Sequence, residues 1–290
     1  MGLSLSVLGA ACASSKGALG TGGTAGTGGT AGVSGGGGSG ADPCATALFC
    51  DDFESYAVGP APGGPWIAQL NAGAIAVDTA QARSGTKAVK LTTQAKDGTK
   101  TALLRLANGP TFPAAAGGLY GRMMFMLEAA PTTSVHWTMI QGGGVVPGQT
   151  YHALYRYGGQ LPITQNGAFA GSQLMANYDT PDSYSGQGPS SDCWFHANKV
   201  VVPVGTWSCV EWQFDGAANT MRLWLDGAPV DSLTVTGTGQ GCVNQPAAYP
   251  WTAPVFNRLD LGWESYQTDD TRTLWIDDVV VSTGPIGCPR

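Results

Sequence analysis

The sequence is poor in charge, and poorest in positive charge. Only 12% of its 290 residues are charged, and 14 lysines and arginines stand against 20 acidic residues, which leaves a net charge of −6. Binding to the phosphate backbone of a nucleic acid needs a basic face. The composition therefore argues against nucleic acid as a partner.

Helical periodicity is also missing. Helix-forming Glu, Lys, Gln and Leu do not accumulate at a spacing of 3.6 residues, whereas 44 glycines fit short strands joined by turns. About a dozen strand-like runs follow residue 50, and turn clusters rather than long linkers separate them. We expect residues 44–290 to form a single all-β domain, a two-sheet antiparallel β-jelly-roll sandwich of the lectin-like, concanavalin A-like kind.

Alternation along a strand predicts which side chains face the core. In the segment 207–214, Val210, Trp212 and Phe214 share one face. We expect these three to point inwards. Glu211 and Gln213 then point outwards or into a groove.

The apolar run near the N-terminus is too short to span a membrane. Residues 3–11 are apolar and end in small residues before Cys12, whereas a spanning helix needs ~20 apolar residues. The run resembles a bacterial lipoprotein signal that would be acylated on Cys12. No basic residue precedes the run, and Leu8 lies four places before the cysteine where such a signal has Leu three places before it. A misassigned start codon would explain the missing basic residue. The alternative is a disordered end without function.

A Gly- and Thr-rich segment follows, in which the hexad TGGTAG occurs twice in tandem. Such a segment buries no apolar surface and behaves as a flexible coil. We therefore expect residues 1–12 to be the signal and residues 13–43 to be a tether. The protein is then a monomer that is secreted or displayed on the outer cell surface, held to a membrane through a lipid on Cys12.

The seven cysteines include no Cys-x-x-Cys pair, which argues against a zinc site. Without Cys12 an even number remains, and in an exported chain this indicates disulfides and an oxidising compartment. We expect Cys193 to pair with Cys242, and Cys44 to pair with either Cys50 or Cys288.

Acidic residues mark the first and the last strand-like segments. Glu54 belongs to the first, Asp277 lies in the last, and a turn with Ser84 and Lys87 feeds an early strand. Antiparallel sandwiches often place their first and last strands side by side, and calcium takes six to eight oxygen ligands. The spacing resembles the calcium site of jelly-roll carbohydrate-binding modules, so we expect a structural calcium ion held by these four residues. The alternative is that they are surface groups at strand ends.

Only three histidines are present, so acid-base chemistry has few candidate positions. β-Elimination at a uronate needs a group that neutralises the carboxylate, a base that removes the C5 proton and an acid that protonates the leaving oxygen. We assign neutralisation to Arg122 and Gln141, the base to His136 and the acid to Tyr155 or Tyr157. A hydrogen-bonded structural role for the histidine is the alternative.

Aromatic and polar side chains provide candidate sugar contacts, because sugar rings stack on aromatic faces. The candidates are Trp194, Trp224, Trp263, Tyr266, Arg156 and His196. Glu211 and Glu264 are a candidate carboxylate pair for glycoside hydrolysis, which requires two carboxyl groups within about 5 to 10 Å of each other.

Several short segments together resemble the fungal cellulose-induced protein family and its bacterial secreted relatives. They are residues 49–56 (FCDDFESY), 121–123 (GRM), 135–137 (VHW), 212–214 (WQF), 225–227 (LDG) and 276–279 (IDDV). The resemblance covers residues 44–290 and implies a calcium-containing β-jelly roll similar to alginate and glucuronan lyases. It favours a secreted protein that cleaves uronate-containing polysaccharides by β-elimination. A non-catalytic carbohydrate-binding lipoprotein and a lectin-like glycoside hydrolase are the alternatives.

Overall fold

Fifteen β-strands and three short 3-10 helices are present in the described residues of the computed structural model, which are 42–107, 111–114, 118–189, 191–237, 242 and 251–289. The strands are β1 Phe49–Asp51, β2 Trp66–Asn71, β3 Gly73–Asp78, β4 Ala88–Thr93, β5 Lys100–Leu106, β6 Leu119–Leu127, β7 Trp137–Val145, β8 His152–Gln165, β9 Ala168–Asp179, β10 Asp192–Val201, β11 Ser208–Asp215, β12 Thr220–Leu225, β13 Ala228–Pro229, β14 Val255–Ser265 and β15 Arg272–Ser282. The 3-10 helices are Pro43–Ala45, Pro181–Ser185 and Asp231–Leu233. No helix in these ranges is long and apolar enough to cross a membrane. Cys12 and the predicted tether up to residue 41 lie outside the described residues.

The strands pair antiparallel and form two sheets. Sheet A has the order β13-β12-β11-β6-β15-β4-β3, with β1 also paired to β15, and sheet B has the order β10-β9-β8-β7-β14-β5-β2. Phe49 of β1 pairs with Val281 of β15, and Asp51 pairs with Val279. The first and last strands are therefore neighbours, and the predicted two-sheet sandwich is confirmed.

The inner faces of the two sheets meet in an aromatic core. Trp212 and Phe214 of β11 are fully buried, and Phe214 stacks on Tyr157 of β8 with 5.9 Å between the ring centroids. Tyr155 contacts Phe214 and Phe256 edge-on. The predicted inward face of residues 207–214 is thus confirmed. Burial of each large side chain contributes about 2 kcal/mol to holding the sheets together.

Three disulfides link the described cysteines. They are Cys44–Cys50, Cys193–Cys242 and Cys209–Cys288. The predicted Cys193–Cys242 bond is confirmed. Of the two partners predicted for Cys44, the structure shows the bond to Cys50. The third bond ties the C-terminal segment to β11 of sheet A.

Candidate functional site

Sheet B carries a row of aligned side chains on its outer face. The strand register places one residue from each of six adjacent strands side by side. In the order of the sheet, these strands are β5, β14, β7, β8, β9 and β10. In this order they are Arg105, Asp260, Gln141, Arg156, Asn177 and Trp194. Because side chains alternate between the two faces of a strand, each strand contributes one residue to this face at each level. We call these six residues the polar row.

Hydrogen bonds link most of the polar row. Nε and Nη2 of Arg105 donate to the two carboxylate oxygens of Asp260 at 2.6 and 3.0 Å. Gln141 Nε2 donates to the same carboxylate at 2.7 Å, and Gln141 Oε1 accepts from Nε of Arg156 at 3.0 Å. Nη1 of Arg156 also lies 3.4 Å from Oδ1 of Asn177. Five of the six side chains are therefore held by their neighbours before any ligand binds.

Two further levels of residues flank the polar row. On one side are Thr101, Glu264, Thr138, Gly158, Met175 and His196, and on the other are Arg258, Gly143, Leu154, Asp179 and Asp192. Hydrogen bonds run within the first of these levels and from the polar row to the second. The hydroxyl of Thr101 donates to Glu264 at 3.1 Å, and Asn177 donates to Asp192 at 2.8 Å.

The guanidinium of Arg156 is the charged group at the centre of this face. Its side chain is 12% exposed, and Nη1 lies 2.7 Å from Oδ2 of Asp179. Burial lowers the pKa of Arg156, but the Tyr266 phenolate that forms at high pH and the Asp179 and Glu264 carboxylates raise it by a larger amount, so the group stays positively charged. The contacts use Nε and Nη1. Nη2 is left without a partner among the described residues, and it can receive a carboxylate.

Two ring side chains from adjoining loops approach Arg156. His136 precedes β7 and Tyr266 follows β14, and their ring centroids are 4.9 Å apart. The guanidinium carbon of Arg156 lies 5.9 Å from the centroid of the Tyr266 ring. Tyr266 N donates to the carbonyl of His136 at 3.1 Å, and His136 N donates to Oε1 of Gln267 at 2.6 Å. An imidazole, a phenol and a guanidinium are thus fixed in one cluster.

The imidazole of His136 is neutral at physiological pH. Burial lowers the pKa of His136 to about 4, and the nearby Arg156 and His196 act in the same direction. A neutral imidazole keeps a lone pair with which to accept a proton. Nε2 of His136 and Nε2 of His196 are both shielded from water and have no hydrogen-bond partner in the described part of the chain. Unpaired buried polar atoms of this kind are rare in folded proteins and often mark functional sites.

The phenol of Tyr266 is protonated. Its hydroxyl donates to Oε2 of Glu264 at 2.6 Å and lies 3.2 Å from Oγ1 of Thr138. Burial raises the pKa of Tyr266, and the Glu264 carboxylate raises it as well, against an opposing effect of Arg156. Tyr266 can therefore act as a proton donor.

Tyr155 and Tyr157, which the sequence predicted as proton donors, lie in the core. They are 0% and 2% exposed, and both rings contact Phe214 of the opposite sheet. Alternation along β8 places both on the inner face and Arg156 on the outer face. This prediction is wrong, and Tyr266 supplies the phenol that was expected from β8.

Arg122 and Glu211 lie on sheet A. Nη1 of Arg122 donates to the carbonyl of Gly287 at 3.1 Å, and the Glu211 carboxylate accepts from the backbone N–H groups of Ile286 and Gly287. Both side chains are covered by the C-terminal segment on the outside of that sheet. Arg122 therefore cannot neutralise a sugar bound to sheet B, and this prediction is wrong. The prediction of Glu211 and Glu264 as a glycosidase pair is also wrong. The two residues lie on the outer faces of different sheets, and stacked sheets are about 10 Å apart, so their carboxyl groups are farther apart than glycoside cleavage allows.

The residues predicted to bind sugar lie in three different parts of the structure. Trp194 and His196 are half-buried on β10 at the end of the polar row, with ring centroids 5.0 Å apart. Trp263 is 1% exposed and stacks on Trp137 in the core at 4.7 Å, so its assignment to sugar binding is wrong. Trp224 is half-buried on β12 of sheet A, away from the polar row.

The sequence prediction missed Asp260, Asn177 and Asp179, although each helps to hold Arg156 directly or through Gln141. The alternation of polar and apolar residues could have indicated these positions. Polar residues alternate with apolar ones at 176–179 and at 258–261, which is typical of strands with one face in the core and one in a polar groove.

The predicted calcium ligands do lie together, around the turn before β4. The Glu54 carboxylate accepts from the backbone N–H groups of Thr86 and Lys87 at 2.8 and 2.6 Å, and from the Thr86 hydroxyl at 2.9 Å. Nζ of Lys87 donates to the carbonyls of Glu54 and Tyr56 at 2.7 and 2.9 Å. An ammonium group therefore already supplies positive charge at this place.

Asp277 completes this cluster from β15. It is fully buried and accepts from the backbone N–H groups of Arg83 and Ser84 at 2.8 and 3.2 Å. The described residues contain no group of three or more His, Cys, Asp or Glu side chains that could hold a metal ion. Because N–H donors already occupy the carboxylates, this arrangement does not fit a calcium ion unless those donors move. Calcium binding stays a prediction.

Comparison with known proteins identifies relatives of the whole sandwich. The family model described as the Cip1-like core domain of polysaccharide-lyase-like proteins matches residues 67–284. No curated protein sequence matches the chain. Among solved structures, the cellulose-induced protein Cip1 is similar, with 22% identity and a TM-score of 0.56 over 83% of this chain and 100% of that one.

An endo-β-1,4-glucuronan lyase from the fungus Trichoderma reesei is also similar. It has 18% identity and a TM-score of 0.53, and the match covers 82% of this chain and 96% of the lyase. At these identities, the likeness shows that the chains share the jelly-roll fold.

Proposed function

The chain belongs to the Cip1-like, polysaccharide-lyase-like family, and from this premise we propose that it cleaves a uronate-containing polysaccharide by β-elimination on the outer face of sheet B. The observation that carries the proposal is the cluster of a neutral imidazole, a protonated phenol and a charged guanidinium. These groups belong to His136, Tyr266 and Arg156. They are the three chemical functions that elimination at a uronate requires.

Arg156 is proposed to bind the carboxylate of the uronate at the cleavage point. Nη2 is free for this contact, and Gln141 and Asp179 hold the guanidinium in place. Pairing with a cation withdraws electron density from the carboxylate and makes the C5 proton more acidic. The bound carboxylate also brings a negative charge close to His136, which raises the pKa of that imidazole and makes it a stronger base.

His136 then accepts the C5 proton while Tyr266 protonates the leaving oxygen. The electrons of the C5–H bond form the C4–C5 double bond, and the bond from C4 to the glycosidic oxygen breaks. Tyr266 donates its proton to that oxygen, and Glu264 and Thr138 orient the phenol for this step. The imidazolium and the phenolate left behind are in ring contact, and proton transfer between them restores the starting state.

A non-catalytic carbohydrate-binding role is the second candidate. The observation in its favour is Trp194, whose half-buried ring ends the polar row and can stack on a sugar. Binding without product would identify this role.

The experiment incubates the purified full chain with glucuronan, alginate and a neutral glucan, and follows ultraviolet absorbance of the unsaturated product together with reducing ends. Unsaturated product from a uronate polymer is expected, with a loss of at least 100-fold in H136A and Y266F. H152A is the matched control, because this histidine pairs with Asp182 away from the cluster. Equal losses in all three variants, or no product from any polymer, would refute the lyase.

We also propose that the protein works outside the cytoplasm, as a monomer attached through a lipid on Cys12. Three disulfides support this setting, because disulfides persist in oxidising compartments. Mass spectrometry of the expressed full chain tests the attachment. A diacylglyceryl adduct that disappears in C12S is the expected result, and an unmodified Cys12 in the wild-type chain would contradict it.

A further inference from the structure

The accessible side chains of the polar row lie at its centre and at its two ends. Arg156 at the centre is 12% exposed, Arg105 at one end is 29% exposed, and Trp194 at the other end is half-buried. The three residues between them are buried, namely Gln141, Asp260 and Asn177. A sugar chain that crosses the strands of this face therefore meets a guanidinium in the middle, a second guanidinium at one end and an aromatic ring at the other.

Trp194 is held on β10 by its neighbours. Its ring contacts the His196 ring, with 5.0 Å between the centroids. The preceding residue, Cys193, is fully buried and bonded to Cys242. Alternation along β10 then directs Trp194 to the outer face, beside Asn177 of β9. A half-buried ring that is held in this way gives a sugar a preformed surface on which to stack.

Trp194 lies two strands away from Arg156. Asn177 of β9 pairs with Arg156 on one side and with Trp194 on the other. Because neighbouring strands are about 4.8 Å apart, the two residues are separated by roughly 10 Å across the sheet. This is about the length of two 4-linked sugar residues. When a uronate binds Arg156, the second sugar beyond it therefore reaches Trp194.

The position of Tyr266 determines which end of the sugar chain reaches Trp194. The Tyr266 hydroxyl contacts Glu264 of β14 and Thr138 of β7, so it lies on the side of Arg156 that faces away from β9 and β10. In the proposed elimination, Tyr266 protonates the oxygen on C4 of the bound uronate. This oxygen carries the non-reducing part of the chain. That part therefore extends over β7 towards β5, and the reducing part extends over β9 and β10.

We propose that Trp194 binds the polysaccharide on the reducing-end side of the cleavage point and stacks on the second sugar beyond the uronate at Arg156. The polysaccharide then crosses sheet B in one direction, with its reducing end at β10 and its non-reducing end at β5. The inference rests on the proposed function, because the reacting groups define the bond that breaks. That function by itself requires neither a direction nor a sugar contact at Trp194.

Paramagnetic broadening measures the direction without turnover. A glucuronan tetrasaccharide with a nitroxide on its reducing end is bound to full-length Y266F, which lacks the proposed proton donor. ¹H–¹⁵N NMR follows the indole N–H of Trp194, assigned by its loss in W194F, and the Nε–H of Arg105, assigned by its loss in R105K. Five strand spacings, or roughly 24 Å, separate the two residues. We expect the relaxation enhancement at Trp194 to exceed that at Arg105 by about tenfold or more, because the effect falls steeply with distance.

The cleavage pattern of the active chain is the second measurement. From a glucuronan hexasaccharide labelled at its reducing end, the labelled products should contain three or more sugars, because shorter ones would leave Trp194 without a sugar. W194A should also release labelled monosaccharide and disaccharide, and its kcat/KM should fall about fivefold. W224A is the matched control, because it removes a half-buried tryptophan from sheet A and should leave the pattern unchanged.

The binding data decide the direction separately from the lyase proposal. Broadening of Arg105 that equals or exceeds that of Trp194, or no binding of the tetrasaccharide, would overturn the inference. A cleavage pattern that W194A leaves unchanged, or that W194A and W224A change alike, would overturn it as well. Selective broadening of Trp194 without cleavage by the wild-type chain would support the sugar contact and its direction and would refute the lyase.

Discussion

Replacement of Asp260 by Ala should destabilise sheet B and loosen Arg156. The Asp260 side chain is fully buried and accepts two hydrogen bonds from Arg105 and one from Gln141. Loss of one partner of a buried ion pair costs about 3 to 5 kcal/mol. The Arg105 side chain is 29% exposed, so water solvates part of the freed guanidinium and the lower end of that range applies. The amide of Gln141 also loses its acceptor, which adds about 1 kcal/mol to the loss of stability. We expect a loss of about 3 to 4 kcal/mol.

Urea denaturation followed by tryptophan fluorescence measures this loss, with an unchanged m-value as the sign of an intact folded state. D260N keeps the shape and one acceptor and should lose about half as much. D231N is the control, because this exposed residue lies in the 3-10 helix Asp231–Leu233 and should change stability by less than about 0.5 kcal/mol. A loss below about 1 kcal/mol in D260A would refute the view that the row is a mutually dependent network.

Four further predictions concern pH, sugar stacking, the carbonyl contacts of Lys87 and the predicted metal. His136 has a pKa lowered to about 4 from 6.5, so the folded chain binds fewer protons than the unfolded chain between these values, and stability should fall as pH drops from 6.5 to 4. Denaturation at several pH values checks this, and an identical slope in H136Q would contradict it. W194A should weaken sugar binding about fivefold, or about 1 kcal/mol, in calorimetry; an unchanged affinity would remove Trp194 from the site. K87M should lower the melting temperature by roughly 2 to 4 °C through the loss of two carbonyl contacts. The calcium prediction requires the wild-type melting temperature to rise with calcium and to fall with EDTA, and an unchanged value would contradict it.

The sequence predicted the fold well because the relevant signals are local. Period-2 alternation identified the inward face of β11, and acidic residues marked the first and last strands, which do pair. The Cys193–Cys242 bond was also predicted.

The candidate site was harder to predict because it depends on which sheet and which face a strand joins. Alternation showed that Tyr155 and Tyr157 share a face opposite to Arg156, but it did not show which face lies in the core. Arg122 was placed beside the groove because its strand precedes β7 in the chain. In the fold that strand joins sheet A, and this pairing depends on residues more than a hundred positions away.

Tyr266 reaches the site through a similar long-range arrangement. It lies just after β14, and the pairing of β14 with β7 brings it to His136, which is distant in sequence. The sequence marked it as a sugar-stacking residue, but the phenol became a candidate proton donor only through its contacts with Glu264 and Thr138. Asp260 and Gln141 show the same limit, since their alignment depends on strand register.

The central claim is β-elimination by the cluster of His136, Tyr266 and Arg156, and the masses of the products test it most directly. A defined glucuronate oligosaccharide is incubated with the full chain and the fragments are weighed by mass spectrometry. Elimination adds no water, so the masses of the two fragments should sum to the mass of the substrate, and one fragment should carry an unsaturated uronate. The Y266F variant should form neither fragment. Fragments that together exceed the substrate by one water molecule, or an intact substrate after prolonged incubation with the wild-type chain, would contradict the account.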